Sequence, residues 1–297
     1  MNWALNFIPF PLAEAAAPTD VAGLSDWELI SQYPAVTRAA AVLRLLGFAC
    51  GLYLWWRYVS ARRDPAFKIS TAPACRQGLP LAISALFAAM LGDALVFAAL
   101  SGTELTLSAP TLAGIIVTRL TILVATIVYL RHASYSWPAN PARCGRALWV
   151  GSIFYLAVVP PVEMLVLLTT ALCRAAGITL TAQPITEQLI HSFSPTVVWF
   201  IVILAVVVAP LFEELMFRGL AYPALKRRWG TAPALILVSA LFALTHLHLP
   251  SVAPLFALGL GLGLAYEVSG SLLAPIAMHA LFNAVNVGML LYVRWHA

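Results

Sequence analysis

Charge is what this sequence has least of. Lysine, arginine, aspartate and glutamate make up 10% of its 297 residues, against roughly 25% in soluble domains. Hydrophobic residues reach 62% and the mean hydropathy is +0.90, which excludes an ordinary water-soluble fold. Cysteine is sparse too. Cys50, Cys75, Cys144 and Cys173 are scattered without CxxC spacing, so neither a disulfide framework nor a zinc knuckle is supported. No interleaving of basic and aromatic residues marks a nucleic-acid surface, and no partner of that kind is expected. No repeat with a period of about 20–50 residues recurs, which argues against a solenoid. The alternating segments of about ten residues that build a membrane β-barrel are missing as well. The opening MNWALNFIPF lacks a basic stretch, and Pro9 and Pro11 interrupt its apolar run, unlike a secretory signal peptide.

What the chain does have is long apolar runs. About eight of them approach the roughly 20 residues that a bilayer-spanning helix needs: 39–59, 79–100, 111–130, 147–172, 196–217, 233–247, 252–268 and 272–293. The expected fold is all-α, a polytopic transmembrane helical bundle. Three parts follow: an external or interfacial segment at 1–38, helices one to four at 39–195, and a C-terminal core at 196–297. The formal charge of +5 sits in particular loops. Arg62, Arg63, Lys68 and Arg76 follow span one; Arg131, Arg143 and Arg146 follow span three; Lys226, Arg227 and Arg228 follow span five. The loops between them hold only Arg174 against Glu104 and Glu187. By the positive-inside rule the basic loops face the cytoplasm and both termini lie outside. A multi-pass protein of the bacterial cytoplasmic membrane is the expected setting, with the lipid bilayer as its first partner.

Three strings interrupt the apolar background: FEELMFRG at 212–219, FALTH at 242–246 and HALFN at 279–283. An unpaired charge at membrane depth costs about 2.5–3.5 kcal/mol on insertion scales, so these groups point to a buried polar site. Residues four apart share a helix face, which pairs Glu214 with Arg218, Phe242 with His246 and His279 with Asn283. If helix five continues through Arg228 and turns near Gly230, Glu213 lies 17 residues before the turn and His246 lies 16 after it. Both then sit at the same height. His279 lies about 12 Å into the last span at 1.5 Å per residue, so three helices can converge in the cytoplasmic half of the bilayer.

A carboxylate and an imidazole within reach of one water can act as general base and acid. An imidazole N–H and an amide N–H on one face can hold an oxyanion. No serine or cysteine stands in a triad-like context, so activated water is favoured over a covalent nucleophile. The bland alternatives are a structural Glu214–Arg218 ion pair, a packing role for Phe242, and a helix-to-helix bond from His279 and Asn283.

The three strings resemble the CAAX-protease and bacteriocin-processing family of intramembrane endopeptidases, whose pattern is EExxxR, FxxxH and HxxxN on separate transmembrane helices. The matches are Glu213, Glu214 and Arg218; Phe242 and His246; His279 and Asn283. The resemblance implies a peptide-bond hydrolase acting on a peptide or protein tail presented at the membrane. It implies that Glu213 and His246 activate the water, that His279 and Asn283 hold the oxyanion, and that Glu214 with Arg218 supports the site. Cofactors are expected to be none. If a metal were used, zinc on Glu213, His246 and His279 would be the set. A non-catalytic immunity or scaffold protein and a transporter or proton relay stay open as alternatives.

Three further features carry expectations. Asp93 and Arg119 fall at equal depth on spans two and three and should form a buried ion pair. Gly259 and Gly263 in GLGLG make a GxxxG pair, read as close helix packing. Glu163, after Pro160 and Pro161, has no assignment but could line the cavity, and His248 is read as a turn residue.

Overall fold

The computed structural model describes residues 42, 45–49, 51, 53, 78–100, 108–132, 144–177, 189 and 194–296. Expectations for 1–38 and for most of span one, at 39–59, lie outside the described residues. Those described are helical wherever they are regular, with no strand among them. In order the elements are α1 (Gly78–Leu100), α2 (Ala109–His132), α3 (Cys144–Ala175), α4 (Pro195–Trp229), α5 (Thr231–Leu244), a short 3₁₀ turn (Leu249–Ser251), α6 (Val252–Ser269) and α7 (Leu273–His296).

Five helices are long and apolar enough to cross a membrane, and Pro80–Asp93 and Thr231–Leu244 are shorter apolar helices. Large apolar side chains on the outside fit that solvent: Phe87, Trp149, Leu167 and Trp199 are all more than half exposed. The chain is an integral membrane protein built as a helical bundle. At about 1.5 Å per residue, α4 is roughly 52 Å long, longer than a hydrocarbon core of about 30 Å. Its end carrying Lys226, Arg227 and Arg228 therefore projects past the apolar layer.

Sequence punctuation sets the helix ends. Ser194 caps α4 through its hydroxyl, with Pro195 at the first turn, where a missing N–H costs nothing. Gly230 ends α4 at φ 84° and starts α5, so the turn falls where the sequence places it. Gly270, at φ 65°, closes α6 with its N–H on the Tyr266 carbonyl; such left-handed caps favour glycine. One boundary differs. The expected sixth span, 233–247, stops at Leu244, and His246 lies in the turn beyond it. Leu247 takes φ 49°, a left-handed backbone that costs a branched side chain on the order of 1 kcal/mol, and the chain swings away before Pro250.

Glycines set how closely the helices approach. A Cβ on Gly259 would lie 3.1 Å from both Cα and Cβ of Ser239, and one on Gly263 would lie 2.5 Å from Leu235 Cδ2. The GxxxG pair is thus the face α6 presses on α5. Gly261, between them, faces Val158 of α3 and Met278 of α7. Gly47, from the first span, lies against the Leu156 carbonyl and the Pro160 ring; Pro160 has no N–H to give that carbonyl.

Two apolar clusters meet along α4. Val197, Ile201, Leu204 and Val208 pack with Leu112 and Ile115 of α2 and Val287 and Leu290 of α7. Beyond them Phe212, Met216, Phe217 and Leu220 pack with α1, α3, α5 and α6. Glu213 and Glu214 fall where the two clusters join.

Candidate active site

Helix α4 departs from α geometry twice, at Leu204–Val208 and at Leu215–Ala221, where the turns widen to π. Each wide turn runs up to a proline, Pro210 or Pro223, placed near the start of the next α segment. A proline ring clashes with the carbonyl four residues back and has no N–H to offer it. Widening the turn relieves both problems. The Ala209 N–H bonds the Leu204 carbonyl, and the Tyr222 N–H bonds that of Phe217. Five residues after Ala205 stands Pro210, so neither residue 209 nor residue 210 supplies a donor to the Ala205 carbonyl. Asn283 Nδ2 fills that vacancy from α7 at 2.7 Å.

Glu214 is fully buried, and its Oε1 accepts from Arg218 Nη1 at 3.0 Å and from His279 Nδ1 at 2.9 Å. The expected Glu214–Arg218 pair therefore forms, and it also ties α4 to α7. The other guanidinium prong, Nη2, donates to the Gly259 carbonyl at 2.9 Å, which only close packing of α6 allows. Phe242 is the hub of the packing. Its ring lies 4.8 Å from the Arg218 guanidinium, 4.9 Å from the His246 ring and 5.8 Å from that of His279, with Phe217 edge-on at 5.5 Å.

His246 is buried, with Nδ1 2.7 Å from the Phe242 carbonyl. A carbonyl only accepts, so Nδ1 carries the proton and Nε2 presents a lone pair. That Nε2 is buried without a partner, as are Glu213 Oε2, Glu214 Oε2, Arg218 Nε, Asn283 Oδ1 and Asn286 Nδ2. By the same logic His279 donates Nδ1–H to Glu214. Glu213 lies in the electrostatic field of His279, Arg119 and Arg218, and His246 in that of His279 and Arg218. The seven motif residues are buried, and Glu213, Glu214, Arg218, His246 and His279 share one electrostatic neighbourhood.

Among the described residues no three His, Cys, Asp or Glu side chains gather as a set that could hold a metal, so the conditional zinc set of Glu213, His246 and His279 is not among such groups.

The Asp93–Arg119 pair is present at 2.5 Å, joining α1 and α2 inside the protein. Sequence spacing did not foresee that Arg119 also stacks over the Phe212 ring at 4.8 Å, one residue from Glu213. Glu163 is half-buried on α3. His248 bonds the Ser251 hydroxyl in the turn ahead of α6, as a turn residue would. Asn286, buried on α7, was also missed; it stands seven residues after His279, on the same face by helical arithmetic.

Residues 195–285 match the family model described as type II CAAX prenyl endopeptidase, Rce1-like. The UPF0177 protein YbdI of Lactococcus lactis subsp. lactis (strain IL1403) is 42% identical over 71 residues, 24% of this chain. The match spans 36% of that relative's length. No solved structure matches the chain.

Proposed function

With residues 195–285 as its Rce1-like segment, we propose that this chain is an intramembrane endopeptidase. It hydrolyses a peptide bond in a peptide or protein tail presented at the cytoplasmic membrane of a bacterium. One observation carries the proposal. The groups assigned to support are bonded to one another, Glu214 to Arg218 and to His279, with Glu214 Oε2 and Arg218 Nε left over. The atoms assigned to touch water, Glu213 Oε2 and His246 Nε2, are buried and unpartnered. Native interiors seldom leave such groups unmet without a ligand or water to satisfy them.

Water donates its hydrogens to Glu213 Oε2 and His246 Nε2. Glu213 takes one proton as the water oxygen attacks the scissile carbonyl carbon. The C–N bond then breaks, and the same proton passes from Glu213 to the leaving amine. His279, held by Glu214 through Nδ1, offers a second N–H at Nε2 when protonated, and Asn283 keeps one amide hydrogen beyond its bond to Ala205. These two hold the oxyanion.

The test is hydrolysis of a prenylated CaaX-tail peptide by the purified protein in proteoliposomes, followed by mass spectrometry. Glu213→Gln and His246→Ala should each lower turnover by a factor on the order of 10²–10⁴ while melting like wild type. Full turnover in either variant, folded, would end the mechanism.

A further inference from the structure

Among the buried polar atoms the mechanism leaves unused, two stand on α7. Asn283 Oδ1 is an acceptor without a donor and Asn286 Nδ2 a donor without an acceptor. Their residues are 1% and 5% exposed. The Asn283 carboxamide cannot turn over, because its Nδ2 is fixed on the Ala205 carbonyl and a flipped oxygen would face another oxygen. At 100° per residue, His279, Asn283 and Asn286 fall within about 60° of arc on α7. They form a polar stripe running from the proposed oxyanion site towards the C-terminal end of the helix. Asn283 and Asn286 are separated along the axis by about 4.5 Å.

An extended peptide presents the N–H and C=O of alternate residues on one edge, which is how neighbouring strands exchange paired bonds. One orphan acceptor and one orphan donor, on residues three apart on one helix face, are the complement of that edge. We infer that Asn283 Oδ1 and Asn286 Nδ2 form a main-chain clamp. It holds one residue of the substrate in extended form, on the side of the scissile bond nearer the C-terminal end of α7. The clamp reads backbone rather than side chain, so it admits many sequences but requires a non-helical segment. This inference rests on the peptidase reading above and extends it to a residue, Asn286, just outside the segment matched by the family model.

The test pairs one variant with one substrate series. The variant is Asn286→Leu, which keeps volume and removes the donor. The substrates are the prenylated CaaX-tail peptide and analogues in which a backbone ester replaces one amide at a time, deleting a single N–H. On wild type, one ester position should raise KM by on the order of tenfold, a typical loss for one buried bond, with kcat changed little. Asn286→Leu should raise KM for the parent peptide by a similar factor, since the bond is made equally in ground and transition states. It should also shrink the penalty of the next ester along, whose weakened carbonyl is the one Asn286 Nδ2 bonds, and leave the penalty of the ester facing Asn283 Oδ1 in place. A flat ester series on wild type overturns the clamp without any variant. So does an Asn286→Leu protein with the KM of wild type, or one that lowers kcat alone. No turnover of any peptide by wild type overturns the peptidase reading, and the clamp falls with it.

Discussion

Breaking the Asp93–Arg119 pair from either side should damage the protein more than removing it whole. The two side chains are 4% and 9% exposed, and each is the other's charge partner at membrane depth. Deleting one partner of a buried pair costs about 3–5 kcal/mol, because the survivor keeps its charge and loses its counter-charge. Arg119 also stacks on Phe212, which adds about 0.5–2 kcal/mol. Arg119→Met therefore loses about 3.5–7 kcal/mol by adding the two. Asp93→Leu keeps the stacking and loses about 3–5 kcal/mol. In the double variant no charge is stranded, and replacing a buried pair with apolar groups is often neutral. Its loss should shrink to the stacking contribution, about 0.5–2 kcal/mol.

The predicted order of stability is wild type, double variant, Asp93→Leu, Arg119→Met. Unfolding of the purified proteins by SDS titration in mixed micelles reads it directly. A double variant as unstable as either single variant would refute the reasoning, as would single variants that unfold like wild type. The first result would mean that the bundle needs the charges themselves; the second, that water reaches them.

Two substitutions test the packing of the site. Gly259→Ala puts a methyl 3.1 Å from the Ser239 backbone and should cost about 1–3 kcal/mol by overpacking, with turnover lost as the Arg218 anchor shifts. Gly288→Ala meets nothing within 4 Å and should melt at or above wild type, since alanine is the better helix former by about 1 kcal/mol; equal melting of the two variants would show that α5 and α6 are not pressed together. Arg218→Lys keeps the charge but cannot reach Glu214 and the Gly259 carbonyl with one rigid fork. Its turnover should fall by on the order of tenfold or more for the lost charge-assisted bond, and wild-type kinetics would remove Arg218 from the support of the site.

Much of this fold follows from period, length and punctuation. Gly230 and Gly270 end helices because only they take the required backbone at no cost, and both stand between apolar runs long enough to read. The Asp93–Arg119 pair was legible because depth is arithmetic in a helical hairpin and charge in lipid demands a partner. The motif residues were legible for the same reason: polar groups are conspicuous where most neighbours are leucine, valine and alanine. What escaped sequence reasoning depends on backbone carbonyls. That Arg218 is held by the Gly259 carbonyl and Asn283 by that of Ala205 needs the register of neighbouring helices, and that His246 bonds the Phe242 carbonyl four residues back needs the way α5 ends. The end of α5 at Leu244 was misread because the apolar run continues to Leu247, while the backbone already turns at Thr245.

The least expected of these carbonyls is the one at Ala205, and its origin is Pro210. A spanning helix normally satisfies every backbone group internally, so it has nothing to offer a side chain from a neighbour. Pro210 breaks that closure: the wide turn before it hands the Ala209 N–H to Leu204 and leaves Ala205 to Asn283. The widened turn carries one extra residue, which rotates everything after it by about 100°. Glu214 owes its facing towards His279 of α7 to that rotation. Pro210→Ala restores an N–H at position 210 and lets the α register close over the turn. Asn283 then loses its acceptor and the acids turn away from His279. Stability should change little, since the gain of about 3 kcal/mol from removing a helix-interior proline is offset by the broken Glu214–His279 bond. Peptide turnover should fall by at least on the order of tenfold, as for a lost oxyanion donor. A Pro210→Ala protein with wild-type turnover would mean that the wide turn is incidental to the site.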